Sequence, residues 1–341
     1  METTLGKACI LKSGKFIAAS ELQEKYEEGL FPCFGGNGVR GYVTEYSHEG
    51  TYPLIGRQGA LCGNVNYASG KFRATEHAVV VQPIEKIDTR WLYYKLKAMN
   101  LGQYATGAAQ PGLAVSKLEQ LPLTIPLYEE QKRTAKMFDL VEQMIALRKE
   151  QLAKLDQLVK SRFIELFGDP IRNTQNRPTT DFINVVMMQR GFDLPVQDRQ
   201  QDGEIPVYGS NGALDRHNVA KVRGGGVITG RSGTIGKVYY TEGDYWPLNT
   251  SLFSVDTHGN NIVYLAYLLQ MYDLPRFTEG TGVPTLNRNK FHDKPIIDVP
   301  LNEQERFAMF VKQTDKSKLA IQQSLDKLEL LKKSLMQEYF G

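Results

Sequence analysis

Cysteine is scarce: Cys9, Cys33 and Cys62 are the only three in 341 residues. Three irregularly spaced thiols cannot form a disulfide framework. There is no Cys-x-x-Cys pair and the five histidines are scattered, so no zinc site is expected and no resident cofactor is assigned. Long apolar runs are missing too. None approaches the roughly 18 residues of a membrane helix. The opening METTLGKACILKSG lacks the apolar core of a signal peptide, so the cytoplasm is the expected compartment. Charge of one sign is also lacking. A net +3 does not demand a nucleic-acid partner, but permits one if basic groups gather on one face. Catalytic constellations are absent as well. There is no acidic-Pro-Pro-aromatic tetrad, of the kind used to methylate base amino groups, and no Ser-His-Asp set.

What the chain does have is repetition. FPCFGGNGVRGYV, from Phe31, is echoed by IPVYGSNGALDRH, from Ile205, 174 positions later. YPLIGRQGALCGNV is echoed by GVITGRSGTIGKV, with Gly56-Arg57 matching Gly230-Arg231. One residue is then lost. WLYYKL (91–96) matches YLAYLL (264–269), TGAAQPGL (106–113) matches EGTGVPTL (279–286), and PLYEEQKR answers PLNEQER. LVKSRFIELFG (158–168) matches LKKSLMQEYFG (331–341). Units this long are tandem copies of a domain plus tail, not solenoid repeats. Pseudo-two-fold symmetry is the natural expectation, because equivalent surfaces can pair.

The first part of each copy is rich in glycine, aromatic and β-branched residues, as in an α+β or mainly β domain. HAVVVQP and SLFSVDT read as strands, and short helices are predicted over 91–99 and 263–271. The second part holds strong helix formers, without glycine or proline over 129–167. Phe138, Ile145, Leu152, Val159 and Leu166 recur every seven positions, with Val141 and Leu155 widening the stripe. Phe307, Ile321, Leu328 and Leu335 repeat the spacing, with Thr314 in the remaining place. A helix of about 39 residues spans roughly 55–60 Å, and one apolar stripe of that length needs a partner. Each copy supplies one, so the expectation is an antiparallel coiled coil; the alternative is that each helix packs on its own domain. The expected divisions are 1–128 and 169–301 for the globular domains, and 129–168 and 302–341 for the helices.

The glycine-rich loops first suggest a phosphate cradle. A Walker loop needs a Lys followed by Ser or Thr at a helix start, and neither FGGNG nor YGSNG has it. Asn37-Gly38 and Asn211-Gly212 read instead as tight turns between strands, with Phe34 and Tyr208 packing inward. Arg57 and Arg231, each bracketed by glycines, can reach a phosphate or a guanine edge or can simply close a turn; the residues alone leave both open. No catalytic set repeats between copies, which favours recognition over chemistry.

LGKACILKSGKF, then IP.YG.NG, then G..GTIGKV, then a Gly-Thr-Gly-x-Pro segment, then PL..EQ leading into a long helix ending in FG, resembles the specificity subunit of Type I restriction-modification systems. The resemblance covers essentially the whole chain, twice, and the second copy matches more cleanly. It implies two target recognition domains, each reading half of a split DNA sequence, and paired helices acting as spacer and platform. It implies as partners double-stranded DNA, two methyltransferase (modification) subunits and restriction subunits with motor and nuclease activity. S-adenosylmethionine, Mg²⁺ and ATP would belong to those partners, and this chain would itself be non-catalytic. Arg57 and Arg231 are the first expected DNA-binding residues, followed by Lys15, Arg73, Lys221, Arg223, Lys237, Arg288 and Lys290. The competing readings are a coiled-coil adaptor without DNA and a stand-alone DNA-modifying enzyme.

Overall fold

In the computed structural model, residues 1–107, 111–280 and 284–341 are described. The chain forms two globular α+β domains linked by two long helices, Tyr128–Phe167 and Leu301–Phe340, that pack together. It divides into two compact units, one of residues 1–148 with 324–341, the other of residues 149–323. Each unit therefore takes one end of each long helix. No helix among the described residues is long and apolar enough to cross a membrane.

In the first unit, alternating apolar strands build one six-stranded sheet. Its order is Cys9–Ser13, Ala78–Pro83, His48–Gly56, Val65–Ala74, Phe31–Gly35, Gly38–Val43. All neighbours are antiparallel except Phe31–Gly35 beside Val65–Ala74. The helix Thr89–Ala98 buries Trp91, Leu92, Tyr94 and Leu96. Asp88 caps it, accepting from the Trp91 N–H at 2.8 Å, which satisfies a donor that helix geometry leaves orphaned.

The second unit repeats this order with one break. The counterpart of Val65–Ala74 is split into Val238–Thr241 and Trp246–Pro247. Between them, Glu242-Gly243-Asp244 supplies turn residues, and the Asp244 carboxylate accepts from the Gly224 N–H at 2.8 Å. The sheet accordingly divides into a four-stranded and a three-stranded part. Helix Ile262–Met271 corresponds to Thr89–Ala98 and is capped by Asn261, which accepts from the Val263 and Tyr264 N–H groups.

A buried glutamine fastens each long helix to the domain before it. Gln131 and Gln304 are each 1% exposed. Gln131 Oε1 accepts from the Asp88 N–H at 2.8 Å, and its amide donates to the Pro126 carbonyl at 3.0 Å. Gln304 Oε1 accepts from the Asn261 N–H at 2.8 Å, and its amide donates to the Val299 carbonyl at 2.7 Å. The far end of each helix packs on aromatic residues of the other copy's short helix. Phe167 lies 5.2 Å from Tyr264 and 5.6 Å from Phe307, ring to ring, within the second unit. Phe340 lies 6.2 Å from Trp91 and 5.4 Å from Phe138, within the first. Gly168, at φ +78°, ends the first long helix in the left-handed region that glycine favours.

The helices run antiparallel in both units. Lys332 meets Glu142 at 2.7 Å in the first, and Lys318 meets Asp156 at 2.6 Å in the second. Between these pairs the number rises by fourteen on one helix and falls by fourteen on the other, so one register serves both units. Of the stripe residues, Phe138, Val141, Val159, Phe307 and Leu328 are buried. Ile145, Leu152, Leu155, Leu166, Ile321 and Leu335 are half-buried. Phe163, Phe167, Val311, Leu325 and Phe340 are buried outside that heptad pattern.

Candidate nucleic-acid interface

The Gly-Arg element occupies the same backbone frame in each unit. Strand His48–Gly56 delivers Arg57, whose N–H donates to the His77 carbonyl at 3.0 Å and whose carbonyl accepts from Leu113 at 2.8 Å. Strand Gly226–Gly230 delivers Arg231, whose N–H donates to the Thr250 carbonyl and whose carbonyl accepts from Leu286, both at 2.8 Å. Leu113 and Leu286 close the segments 106–113 and 279–286, whose residues 108–110 and 281–283 lie outside those described.

The preceding glycine does not open the neighbourhood, as a glycine bracket suggests. Gly56 and Gly230 are buried. A Cβ on Gly56 would fall 2.1 Å from the Gly36 carbonyl oxygen, and one on Gly230 would fall 2.9 Å from the Ser210 carbonyl and 1.7 Å from that of Thr234. These glycines let the arginine strand press against the hairpin turn. The following glycines, Gly59 at φ +85° and Gly233 at φ +82°, occupy the left-handed region. In the hairpin turns Gly38 and Gly212 carry the positive φ, at +104° and +96°, rather than the asparagines. The asparagine side chains serve as latches. Asn37 Oδ1 accepts from the Asn64 amide at 3.0 Å, and Asn211 Oδ1 accepts from Lys237 Nζ at 2.9 Å.

In the first unit, Gly36, Asn37, Arg40, Gln58 and His77 line a groove of about 490 Å³. Arg57 Nη1 donates to Ser13 Oγ at 3.1 Å, and its Nε is buried without a partner among the described residues. In the second, Arg231 shares a cavity of about 280 Å³ with Arg190 and Arg288. Arg190 has no signal in the repeated motifs; its strand end becomes visible only through pairing register.

The other basic residues are dispersed. Lys15 is exposed and Arg73 pairs with Glu45 at 3.7 Å. Lys221 lies over the rings of Phe192 and Trp246, at 4.8 and 5.7 Å, a cation–π arrangement. Arg223 is exposed. Lys237 is held by the Asn211 latch, and Lys290 pairs with Glu279 at 2.8 Å. The cysteines are free thiols, and burial pushes Cys9 up to about 12. No group of three or more His, Cys, Asp or Glu side chains that could hold a metal occurs among the described residues.

Comparison with known proteins gives these features a family. The model of the Type I restriction modification DNA specificity domain matches residues 2–157 and again 172–331. A Type I restriction enzyme specificity subunit of Escherichia coli, EcoprrI, is 53% identical over 137 residues. That match takes in 40% of this chain and spans about a third of the relative, 34%. A provisionally named type I restriction enzyme specificity subunit of Haemophilus influenzae is 26% identical over 90% of this chain and 88% of its own. The crystal structure of a Type I restriction-modification S subunit from M. genitalium shares the fold with a TM-score of 0.72 at 16% identity, covering 100% of this chain and 96% of that one. A second structure, titled for complex assembly and conformational transition of the type I system, superposes with a TM-score of 0.61 at 12% identity. The chain thus belongs to the Type I restriction-modification specificity family and is a DNA-specificity subunit carrying the domain twice.

Proposed function

We propose that residues 1–128 and 169–301 are target recognition domains reading the two halves of one bipartite duplex site, and that the long helices between them fix the separation of those halves. The observation that carries this is the repeated Gly-Arg frame. Identical backbone bonds hold Arg57 and Arg231 while the side chains beside them differ. Constant framing with divergent walls suits two modules reading different sequences by side-chain contact to base edges and phosphates.

Two modification subunits and, in the endonuclease form, restriction subunits would assemble on the helices. S-adenosylmethionine, Mg²⁺ and ATP would be theirs, and extrusion of the target adenine would fall to the modification subunit. Exposed apolar residues support such docking. Leu140, Met144 and Leu147 follow the i, i+4, i+7 pattern of one helix face and are 46–51% exposed. Leu319 and Leu330, eleven apart and so on one face, are exposed on the second helix. Each helix has 40 residues, about 60 Å at the usual rise, a length suited to the spacer role proposed for the pair.

Methylation-sensitive sequencing of DNA from cells expressing the chain with its modification partner tests the proposal. Two short half-sites separated by a constant unspecified spacer are expected; one continuous site would overturn it. Arg231→Ala and Arg57→Ala should each slow methylation at limiting enzyme. An unchanged rate would remove that arginine from the interface while leaving the bipartite reading intact.

A further inference from the structure

We infer that the second domain contains a phosphate clamp, made of Arg190, Arg231 and Arg288, which the first domain lacks, and that it takes one phosphodiester of the DNA backbone. The inference rests on the DNA reading above and adds Arg190, which the repeated motifs do not mark.

The three arginines line one cavity of about 280 Å³. Arg190 is the last residue of strand Met187–Arg190 and stands opposite Leu252. Arg231 is fixed through its backbone to Thr250 and Leu286. Arg288 opens the short turn Arg288–Lys290 and donates from Nη1 to the Met188 carbonyl at 3.3 Å. The carboxylate on the wall, Glu279, is taken by Lys290 at 2.8 Å. Among the described residues, the side chains of Arg190 and Arg231 make no hydrogen bond or ion pair.

The first domain shows what this arrangement replaces. Its strand Cys9–Ser13 ends at Ser13, opposite Val79, the position equivalent to Leu252. There the Arg57 guanidinium donates to the Ser13 hydroxyl at 3.1 Å. Where the first domain gives its arginine a neutral acceptor, the second gives its arginine another cation. Position 288 corresponds to Val115, so a second charge is added where the first domain has an apolar residue. Guanidinium groups stay charged at any physiological pH. The one carboxylate on the wall is already shared with Lys290, so solvent or a bound anion must supply the remaining opposing charge. Three guanidiniums offer many forked N–H donors, more than the two acceptors of a guanine edge can use. A phosphodiester brings both acceptor oxygens and the opposing charge. A free inorganic anion shares that chemistry, and the experiment separates the two sources.

The full chain, complexed with its modification subunits, is titrated with its bipartite duplex over a range of salt. Arg190→Ser installs the first domain's residue, and Arg190→Lys keeps the charge without the fork. Arg190 is exposed at a strand end, so folding should tolerate both. Arg190→Ser should weaken binding about ten-fold and flatten the slope of log affinity against log salt by about one. The loss should be equal on the true site and on duplexes altered in either half. In parallel, sulfate at matched ionic strength should raise the thermal midpoint of the wild type more than that of Arg190→Ser. An unchanged slope, with wild type binding its site normally, would overturn the clamp while the recognition reading stands. Arg190-dependent sulfate stabilisation with an unchanged slope would assign the cavity to a free anion and overturn the DNA part. Loss of discrimination at one base pair would make Arg190 a base reader and overturn the clamp. A wild-type complex that binds no duplex would overturn the recognition reading itself.

Discussion

The two globular domains differ more in side chain than in backbone. Arg57 and Arg231 sit on the same hydrogen bonds, and Asn37 and Asn211 make the same kind of latch. Around them, however, the latch partner is an amide in one domain and an ammonium in the other. The neighbouring strand ends in Ser13 in one and Arg190 in the other, and one long strand becomes two short ones. Backbone bonds can be conserved by geometry alone, because any residue except proline supplies both donor and acceptor. Side chains on a cavity wall are free to change without unfolding what holds them. A duplicated chain can thus acquire two different binding surfaces on a single scaffold.

The largest test of that comparison lies in the helix tails. Phe167 is fully buried against Phe163, Tyr264 and Phe307. Phe340 is 7% exposed and touches Trp91 and Phe138. Phe167→Ala should cost about 3–5 kcal/mol, and Phe340→Ala less, about 2–3, since cost follows how completely the ring is enclosed. Urea midpoints of the full chain measure both; the reverse order would show that the two tails are not equivalent plugs.

The buried glutamines come next. Gln304→Ala and Gln131→Ala should each cost about 1–3 kcal/mol by leaving buried backbone groups unpaired. Gln304 should cost more, because its amide also donates to Asn260 at 2.6 Å. Hydrogen exchange should accelerate at the Asp88 amide in one variant and at the Asn261 amide in the other. An effect confined to the long helix would refute the clamp.

The smallest effect concerns the two interhelical ion pairs. Burial opposes ionisation of Glu142, but the hydrogen bond from Lys332 and the charges of Lys97 and Lys332 hold it below its ordinary value. A carboxylate so depressed stabilises the fold above the usual glutamate range, and that contribution is lost as pH falls through the folded-state value. Lys332→Met should therefore cost about 1 kcal/mol at neutral pH and progressively less as pH falls below the usual glutamate range. Lys318→Met should cost about 0.5 kcal/mol or less, because the Asp156 side chain is 63% exposed. Equal costs at neutral pH would contradict the contrast.

The duplication was legible because matched segments keep their order and an offset that changes by only one residue, and the long helices because strong formers run unbroken past any single domain's needs. The strands at HAVVVQP and SLFSVDT and the short helices were legible from local pattern, and appear as Ala78–Pro83, Ser251–Asp256, Thr89–Ala98 and Ile262–Met271. The glutamine clamps were hidden. An EQ pair at a helix start reads as charge suited to the helix dipole, and nothing local says that the glutamine turns inward to a cap 43 positions away. The crowding at Gly56 was hidden for the same reason, since the carbonyl that forbids a side chain there belongs to the distant Gly36, whereas Gly230 is met first by Thr234, four positions on, and then by Ser210. Arg190 was invisible because its match to Ser13 is one of strand register, not of letters.

The crossed helix tails also set an order of events in synthesis. Lys95 Nζ donates to the Phe340 carbonyl at 3.1 Å, a contact spanning 245 positions. The second unit is made of one continuous stretch, 149–323, and can close as soon as that stretch is made. The first cannot, because residues 324–341 complete it. Until then the ring of Trp91 and the face of Phe138 wait without their cover, and non-local closures of this kind are slow and leave apolar surface exposed. Of the two units, the one begun earlier is therefore completed later.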